Sequence, residues 1–407
     1  MNYTVEKIAW IDCVFIPMEW ANSVTVKILV RAGIENEDKE QNWISHCLEH
    51  MFFKGGKRYI WEYELFKATD SIWAKLNWNT GMDMVTFFIN TAPEFIWKAI
   101  DVLSDMIVDS NFRAEDFDRE KKVIVQEMRR REDNPRVFAS DQHRMWYIWD
   151  NSFWRYFTWT EENVMSFSVK DLEKYKDSLY TKDNLIIVIA WKNADSDFVK
   201  EQISLKFTEL KEKRELSLPK YIEELPENHI KIIDKWLKQT QLMMSAKWFT
   251  EMDTKVYAAD VLSSLLWWCR SSLLKSVIRE QESLCYDISC DHLCSSDFWY
   301  FRIVSWLDND KLEYWLDKIN DVIWSIAKGD ITEASFNDAV WFNIWRFSLD
   351  MQTPFAISGF VWRHYLLYKE ITTIDDVINY YKTVSFEDVK KMCWMLSLEN
   401  RYTLCVN

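Results

Sequence analysis

Two histidines and a glutamate lie within five consecutive residues, in the order His46, Glu49 and His50. On an α-helix, which turns by about 100° per residue, the two imidazoles lie one turn apart on one face with the carboxylate beside them. Two such imidazoles can bind one zinc ion in tetrahedral geometry, and the carboxylate can accept a proton from a water molecule that the metal activates. The pattern therefore indicates half of a zinc hydrolase site. The apolar residues of the segment predict a packed opposite face: Ile44, Leu48, Met51 and Phe52.

A catalytic zinc ion usually has three protein ligands, so the sequence must supply one more. Residues 118–128 have the pattern of a helix on which Glu120 and Glu127 lie two turns apart and nearly eclipsed. One of these glutamates can bind the metal while the other orients a ligand. The alternative is an exposed acidic stripe that pairs with the neighbouring Lys and Arg side chains.

These residues, with short motifs elsewhere, closely resemble the pitrilysin/insulinase family of zinc metallopeptidases (inverzincins), especially its processing-peptidase-like branch. The resemblance extends over nearly the whole chain and implies one zinc ion (Zn2+) held by His46, His50 and Glu127. It also implies Glu49 as the general base and Glu120 as a residue that orients a ligand. The matching motifs are His46-x-x-Glu49-His50, Arg119-Glu120-x-x-Val123-Ile124-x-x-Glu127-Met128, Leu76-Asn77-x-x-Thr80, Asp133-x-Pro135, Thr158-x-Thr160-Glu161-Glu162, Tyr180-x-x-Asp183-Asn184-Leu185 and Arg270-Ser271-Ser272-Leu273-Leu274.

The resemblance assigns roles to two further residues. In the family, an arginine and a tyrosine spaced like Arg279 and Tyr286 reach the active site and hold the substrate, where they can hydrogen-bond the carbonyl oxygen as negative charge develops on it. The alternative for this pair is a surface salt bridge and a core tyrosine. Asn77, near a predicted sheet edge, is expected to contact the main chain of an extended peptide that adds to this edge.

We therefore expect a zinc-dependent metalloendopeptidase that hydrolyses peptide bonds in peptides or in unfolded or precursor segments of proteins. As the resemblance implies, a two-domain chain is expected to form a homodimer or a heterodimer with a related chain, in which Arg279 and Tyr286 can serve the zinc of the partner. Two alternatives remain open. One is a non-catalytic subunit of a heterodimeric processing-peptidase-like complex, and the other is a protein that binds metal without hydrolysis.

The length of 407 residues leaves room for two domains of ordinary size. The charged, proline-containing stretch 206–228 predicts a linker between an N-terminal catalytic domain (1–205) and a C-terminal substrate-binding domain (229–407). A strand followed by a helix recurs in both halves, so the predicted fold is α+β, with two related domains that each have a mainly antiparallel sheet covered by helices. Alternating apolar residues predict strands at 23–31, 83–90, 184–190, 239–245, 298–305 and 402–406.

Charge and cysteine content exclude several classes of protein. The net charge of −14 disfavours binding to nucleic acids and to anionic membranes. No apolar run of about 20 residues and no secretory signal pattern are present, so we expect a cytoplasmic protein. The eight cysteines include no CxxC pair, which is typical of free thiols in a reducing compartment. Cys290, His292 and Cys294 alternate as on one face of a strand, and a second metal site there is the alternative to ordinary buried cysteines.

Tryptophan and glycine have unusual frequencies, with 24 Trp and only 6 Gly, whereas glycine normally supplies about 7% of residues. We hypothesise that many of these tryptophans, Trp43 included, are glycines encoded by UGA in a lineage that reads this codon as glycine. UGG codons throughout would contradict the hypothesis. Tryptophans stand where the resembled family has glycine at Trp73, Trp159, Trp191, Trp267 and Trp268.

Overall fold

The structure is a computed structural model that describes residues 3–38, 40–147, 161–213, 227–247, 254–269, 271–277, 285–294, 299–397 and 399–407. The strands in these ranges are β1 (Thr4–Ile8), β2 (Ile11–Pro17), β3 (Val24–Val30), β4 (Lys75–Thr80), β5 (Val85–Thr91), β6 (Leu185–Trp191), β7 (Ile230–Ile233), β8 (Thr240–Lys247), β9 (Cys285–Cys294), β10 (Trp299–Leu307) and β11 (Arg401–Val406). The helices are α1 (Ile44–Phe52), α2 (Glu62–Asp70), α3 (Ile96–Ile107), α4 (Ala114–Asp133), α5 (Pro135–Tyr147), α6 (Glu161–Ser166), α7 (Val169–Leu179), α8 (Asp197–Lys206), α9 (Val256–Ser263), α10 (Leu312–Lys328), α11 (Glu333–Asp350), α12 (Pro354–Tyr368), α13 (Ile374–Thr383) and α14 (Phe386–Met395).

The strands form two sheets with the same topology. The first sheet has the order β1-β2-β6-β3-β5-β4, and the second has the order β7-β11-β8-β10-β9. Apart from β1, each sheet consists of five strands in which the first in sequence pairs parallel with the last, and the other pairs are antiparallel. The halves of the chain are therefore structurally related α+β domains, which confirms the predicted fold class.

All the strands predicted from alternation are present, as β3, β5, β6, β8, β10 and β11. Alternate residues of β3 belong to the main core of their unit, but the residues between them are buried as well. α12 packs on that second face, against β3 and β6. Alternation predicts a half-buried strand, whereas β3 is buried on both faces because a helix from far along the chain packs on the second one.

The chain divides into two compact units. Unit 1 contains Met1–Arg129, Thr158–Pro219 and Asp350–Thr373, and unit 2 contains Arg130–Phe157, Lys220–Leu349 and Ile374–Asn407. Each sheet lies within one unit. The units differ from the predicted domains, 1–205 and 229–407, in the segments 130–157 and 350–373, and the predicted domain boundaries remain a prediction. Among the described helices, none combines the length and the apolar character that crossing a membrane requires.

Left-handed backbone conformations are concentrated at tryptophan. Among the described residues, six that are not glycine have positive φ, and four of these six are tryptophan. Glycine adopts positive φ without steric cost, whereas a residue with a Cβ does not. The four are Trp10, Trp43, Trp73 and Trp236.

This distribution supports the glycine hypothesis at Trp43 and Trp73, which are two of the positions that the hypothesis names. Trp191, Trp267 and Trp268 are not among the residues with positive φ, and Trp159 lies outside the described residues. The identity of these tryptophans therefore stays a prediction.

Candidate metal centre

The candidate site lies between α1 and α4, which both belong to the core of unit 1. α1 buries seven of its nine residues, and only His46 and His50 remain partly exposed. α4 is more polar, and Glu120 and Glu127 lie on its partly exposed surface. Because both helices pack into one core, the histidines of α1 meet the glutamates of α4 at its edge. The residues of α4 in this core include Phe117, Ile124 and Met128.

Two histidine nitrogens face one carboxylate oxygen. His46 Nε2 lies 3.3 Å from Glu127 Oε2, and His50 Nε2 lies 3.7 Å from the same oxygen. In a tetrahedral zinc site, bonds of about 2.0–2.1 Å place neighbouring ligand atoms about 3.4 Å apart. The types and spacing of these donor atoms therefore fit a single zinc ion. Hydrogen bonds with His46 and His50 hold the pKa of Glu127 well below its usual value.

Glu49 is also near both histidines, and one ligand atom from each of the three residues lies within 4.8 Å of the others. Its carboxylate, however, approaches His46 from the Nδ1 side, at 3.8 Å. The Nε2 atom of the same ring faces Glu127 instead. The geometry therefore favours Glu127 as the third ligand and leaves Glu49 beside the metal position.

Both donors that hold the Glu49 carboxylate come from β4. The hydroxyl of Thr80 donates a hydrogen bond to Glu49 Oε2, and the Trp78 side chain hydrogen-bonds the same carboxylate. Glu49 is only 4% exposed, and this burial raises its pKa to about 7. The carboxylate is thus fixed from the sheet side and directed toward the histidines.

Glu120 connects His50 to a lysine. Glu120 Oε2 lies 2.9 Å from His50 Nδ1, and Glu120 Oε1 lies 2.7 Å from Lys54 Nζ. Burial opposes the charged form of His50, but the hydrogen bonds with Glu120 and Glu127 outweigh it and raise the pKa of His50 to about 9. Burial likewise opposes ionisation of Glu120, yet His50 and Lys54 lower its pKa. The contact at Nδ1 orients the ring so that Nε2 faces Glu127.

Asn77 lies at the end of the first sheet, on the edge strand β4. Its side chain is exposed and alternates with Trp78 and Thr80, so it points to the other face of the strand. The carbonyl oxygen of its side chain accepts a hydrogen bond from the Trp78 backbone N–H at 2.9 Å. Contact between Asn77 and a peptide stays a prediction.

The residues predicted in the C-terminal half are not tested by the described structure. Arg279 lies outside the described residues, and Tyr286 falls in β9 at a position whose side chain is outside them as well. Cys290 is a buried free thiol, whereas the side chains of His292 and Cys294 are outside the described part. The oxyanion contacts and the second metal site remain predictions.

Sequence reasoning missed the roles of Lys54 and Thr80. Lys54 stands four residues after His50, which is the spacing that brings side chains onto one helical face. Thr80 appeared only as part of a motif, although its alternation with Trp78 places both on one face of β4. Neither spacing identifies the partner residue. Lys54 pairs with Glu120 on α4, and Thr80 pairs with Glu49 on α1.

Comparison with known proteins relates this chain to one family of peptidases. The profile described as insulinase (peptidase family M16) matches residues 14–148, and the profile described as the peptidase M16 inactive domain matches residues 166–342. The chain is 26% identical to the protein named uncharacterized zinc protease YmxG from Bacillus subtilis (strain 168) over 381 residues, which cover 93% of this chain and 91% of that protein. It is 27% identical to the mitochondrial-processing peptidase subunit beta of Homo sapiens over 169 residues, which cover 42% of this chain and 34% of that protein.

A solved structure shares the whole fold. A protease from Helicobacter pylori has a TM-score of 0.90 to this chain at 19% identity, and the match covers 100% of this chain and 99% of that chain. This likeness concerns the fold, while the first profile includes both helices of the candidate metal centre. With two profiles of one family along most of its length, the chain belongs to the insulinase (M16) family of peptidases, as the sequence motifs predicted.

Proposed function

We propose that this protein is a zinc-dependent endopeptidase that hydrolyses peptide bonds in peptides or in unfolded protein segments. The observation that carries the proposal is the approach of His46 Nε2 and His50 Nε2 to Glu127 Oε2, with Glu49 buried beside them. The name zinc protease of the Bacillus subtilis relative supports it. The donor set of two imidazoles and one carboxylate is typical of catalytic zinc sites.

The chemistry is divided among the residues of the site. The two histidines and Glu127 would hold the zinc ion, which would supply a Lewis acid for the peptide carbonyl and for the attacking water. Glu49 accepts the proton of the attacking water and returns it to the nitrogen of the departing amine. Because Thr80 and Trp78 hold the Glu49 carboxylate, it is in place before the substrate binds.

The substrate is an extended peptide that adds to the outer edge of β4, a mode of binding that reads the main chain more than the side chains. Asn77 contacts this main chain. Arg279 and Tyr286 donate hydrogen bonds to the carbonyl oxygen as it gains negative charge.

The active form is a homodimer or a heterodimer with a related chain. The human relative is named as a subunit, which supports an assembly of this kind. The cytoplasmic location of this protein stays a prediction from the sequence.

The experiment that tests the proposal replaces Glu49 by glutamine. Glu49→Gln keeps the shape of the side chain but cannot accept the proton, so cleavage of a quenched fluorescent peptide library should fall by at least about 100-fold. The zinc content of the purified protein should not change. Glu115→Gln, on the exposed surface of α4, is the matched control and should cleave at the rate of the unsubstituted protein.

A Glu49→Gln variant with full activity would refute the assignment of the base. An unsubstituted protein that binds zinc but cleaves no peptide would favour the non-catalytic subunit instead. In that case the assay would be repeated after mixing with a related chain.

A further inference from the structure

The first turn of α1 lacks a cap from its own N-cap residue. Trp43 occupies the N-cap position with φ of 82°, and its side chain makes no capping hydrogen bond. The first backbone N–H groups of a helix have no partner within the helix, so another group must accept from them. That group is the side chain of Glu37, six residues before Trp43.

Glu37 accepts several hydrogen bonds at this point of the chain. Its Oε2 accepts from the Trp43 backbone N–H at 2.8 Å, and its Oε1 accepts from the Ser45 backbone N–H at 3.0 Å. The Ser45 hydroxyl also donates to Oε1. One carboxylate therefore holds the residue before α1 and the second residue of the helix together.

This network is shielded from water. Glu37 is 2% exposed and Ser45 is fully buried. Burial raises the pKa of Glu37 to about 7, although the hydrogen bonds from Ser45 and Trp43 oppose this rise. Removal of the acceptor would leave buried N–H and O–H groups without a partner, which costs more than the loss of an exposed hydrogen bond.

The network ends next to a candidate metal ligand. Ser45 directly precedes His46, whose Nε2 lies 3.3 Å from Glu127 Oε2. His46 lies in the first turn of α1, where helices fray most readily. His50 lies one turn further and has Glu120 at its Nδ1.

We propose that Glu37 is a positioning residue of the metal centre, which holds the start of α1 so that His46 Nε2 faces Glu127; this inference rests on the proposed zinc site. The two histidines are then held by two different carboxylates. Glu120 acts on the ring of His50, and Glu37 acts on the backbone that carries His46.

Substitution of Glu37 by glutamine tests the proposal. Glutamine keeps the shape of the side chain but replaces one acceptor oxygen by an N–H donor, which faces either Trp43 or Ser45. The dissociation constant for zinc, measured by competition with a chromophoric chelator, should rise about 10-fold, as for other residues that orient metal ligands. The visible absorption bands of the cobalt-loaded protein should shift or lose intensity because the ligand geometry changes.

A matched control separates positioning from a general loss of stability. Ser385 caps α14 in unit 2 by accepting from the Asp388 N–H at 3.2 Å. Ser385→Ala should lower the midpoint of urea unfolding, because α14 loses the acceptor at its N-cap. It should leave the zinc affinity and the cobalt spectrum unchanged.

Ser45→Ala is the second variant, and it tests the same proposal if Glu37→Gln does not fold. It removes the hydroxyl that donates to Glu37 and keeps the bond from the Ser45 backbone N–H. The zinc dissociation constant should therefore rise about 3-fold, a smaller change than loss of a whole orienting residue produces. Zinc affinity and cobalt spectrum that stay unchanged in the folded variants would overturn the inference and leave the proposed function intact. A protein that binds zinc but cleaves nothing would overturn the proposed function alone, and a protein that binds neither metal would overturn both.

Discussion

His50 has carboxylate neighbours at both of its ring nitrogens. Nε2 lies 3.7 Å from Glu127 Oε2, while Nδ1 lies 2.9 Å from Glu120 Oε2. Lys54 pairs with the other oxygen of Glu120 and with Glu62, at 2.7 Å and 2.8 Å. These contacts fix the orientation of the His50 ring. A residue such as Glu120 can thus influence the zinc affinity of the proposed site through the ring that it orients.

Glu120→Gln should weaken zinc binding by about 10- to 100-fold, since the variant loses the charged acceptor that orients His50. The measurement is competition with a chromophoric chelator. Glu115→Gln, on the same helix but exposed, should bind zinc as tightly as the unsubstituted protein. Equal affinities of the two variants would show that Glu120 does not orient the ligand.

Two exposed tryptophans have a left-handed backbone conformation. Trp73 is 85% exposed and Trp236 is 95% exposed, and both have positive φ. Trp73→Gly and Trp236→Gly should each raise the free energy of unfolding by about 1 kcal/mol, because glycine removes the steric cost of this conformation. Urea unfolding measures the change.

Trp341 is the control for this prediction, because it is 61% exposed but lies within α11. Trp341→Gly should lower the free energy of unfolding by about 0.5 kcal/mol, the ordinary effect of glycine inside a helix. A loss of stability at all three positions would contradict the idea that Trp73 and Trp236 occupy glycine sites. The codons at the sites named above provide an independent check.

At the scale of elements, β3 illustrates how a distant helix changes the surroundings of a strand. Lys27 lies on the face of β3 that α12 covers and is only 3% exposed. Its Nζ donates to the Phe355 carbonyl oxygen at 2.8 Å. Burial lowers the pKa of Lys27 to about 7 from the ordinary value of 10.5. A buried amine between a strand and a helix should make the stability of unit 1 depend on pH.

The sign of this dependence follows from proton binding. Between about pH 7 and 10.5 the unfolded chain holds a proton on Lys27 that the folded chain has released, so stability rises with pH in this window and is lost as pH falls toward 7. Lys27→Met has no such group. The free energy of unfolding of the unsubstituted protein, relative to Lys27→Met, should therefore increase from pH 7 to pH 9 by on the order of 1 kcal/mol per pH unit. A difference that is constant with pH would contradict the buried-amine interpretation.

At the scale of the whole molecule, the two sheets share a topology but differ in their chemistry. α1 follows β3 in the first half, and α9 follows β8 at the corresponding position of the second. α9 carries no histidine, and the profile that matches residues 166–342, which include α9, is described as an inactive domain. Among the described residues, the group of ligand atoms that could hold a metal lies on α1, at His46, Glu49 and His50. One metal ion per chain stays a prediction, because the side chains of His292 and Cys294 lie outside the described residues.

Zinc should raise the melting temperature of the protein, because a ligand that binds only the folded state stabilises it by mass action. At 100 times the dissociation constant this amounts to about 2.7 kcal/mol. His50→Ala should abolish the shift. His229→Gln, which alters a histidine in unit 2, should retain it. Differential scanning calorimetry with and without a chelator gives the comparison, and a zinc-induced shift in His50→Ala would place the metal elsewhere.

A mixing experiment tests whether Arg279 serves the zinc of a partner. Glu49→Gln and Arg279→Ala should each be inactive as homodimers. If the residues act across subunits, exchange creates heterodimers with one complete site, and the mixture recovers about a quarter of the activity. No recovery after verified subunit exchange would show that both residues act within one chain.

The sequence by itself determined which residues could do chemistry in this protein, and it predicted much of the secondary structure. His46, Glu49 and His50 share one short helix, and helical spacing is a local property that follows from the order of residues. The alternation that predicted β3, β5 and β8 is equally local. The relation between the two halves also emerged from the order of their elements, and the common sheet topology confirms it.

Helical spacing did not distinguish the two glutamates of α4, although the resemblance assigned the metal to Glu127, and only the tertiary structure shows that their contacts differ. Glu120 and Glu127 lie two turns apart and are equivalent on a helical wheel, so the spacing leaves either one free to bind the metal. The packing of α4 beside α1 places Glu127 near both Nε2 atoms and Glu120 at Nδ1 of His50. Tertiary packing also supplies the hydrogen-bond partners of Glu49 and Glu37, and it buries the second face of β3. These features depend on contacts between residues far apart in the chain, and no local pattern contains that information.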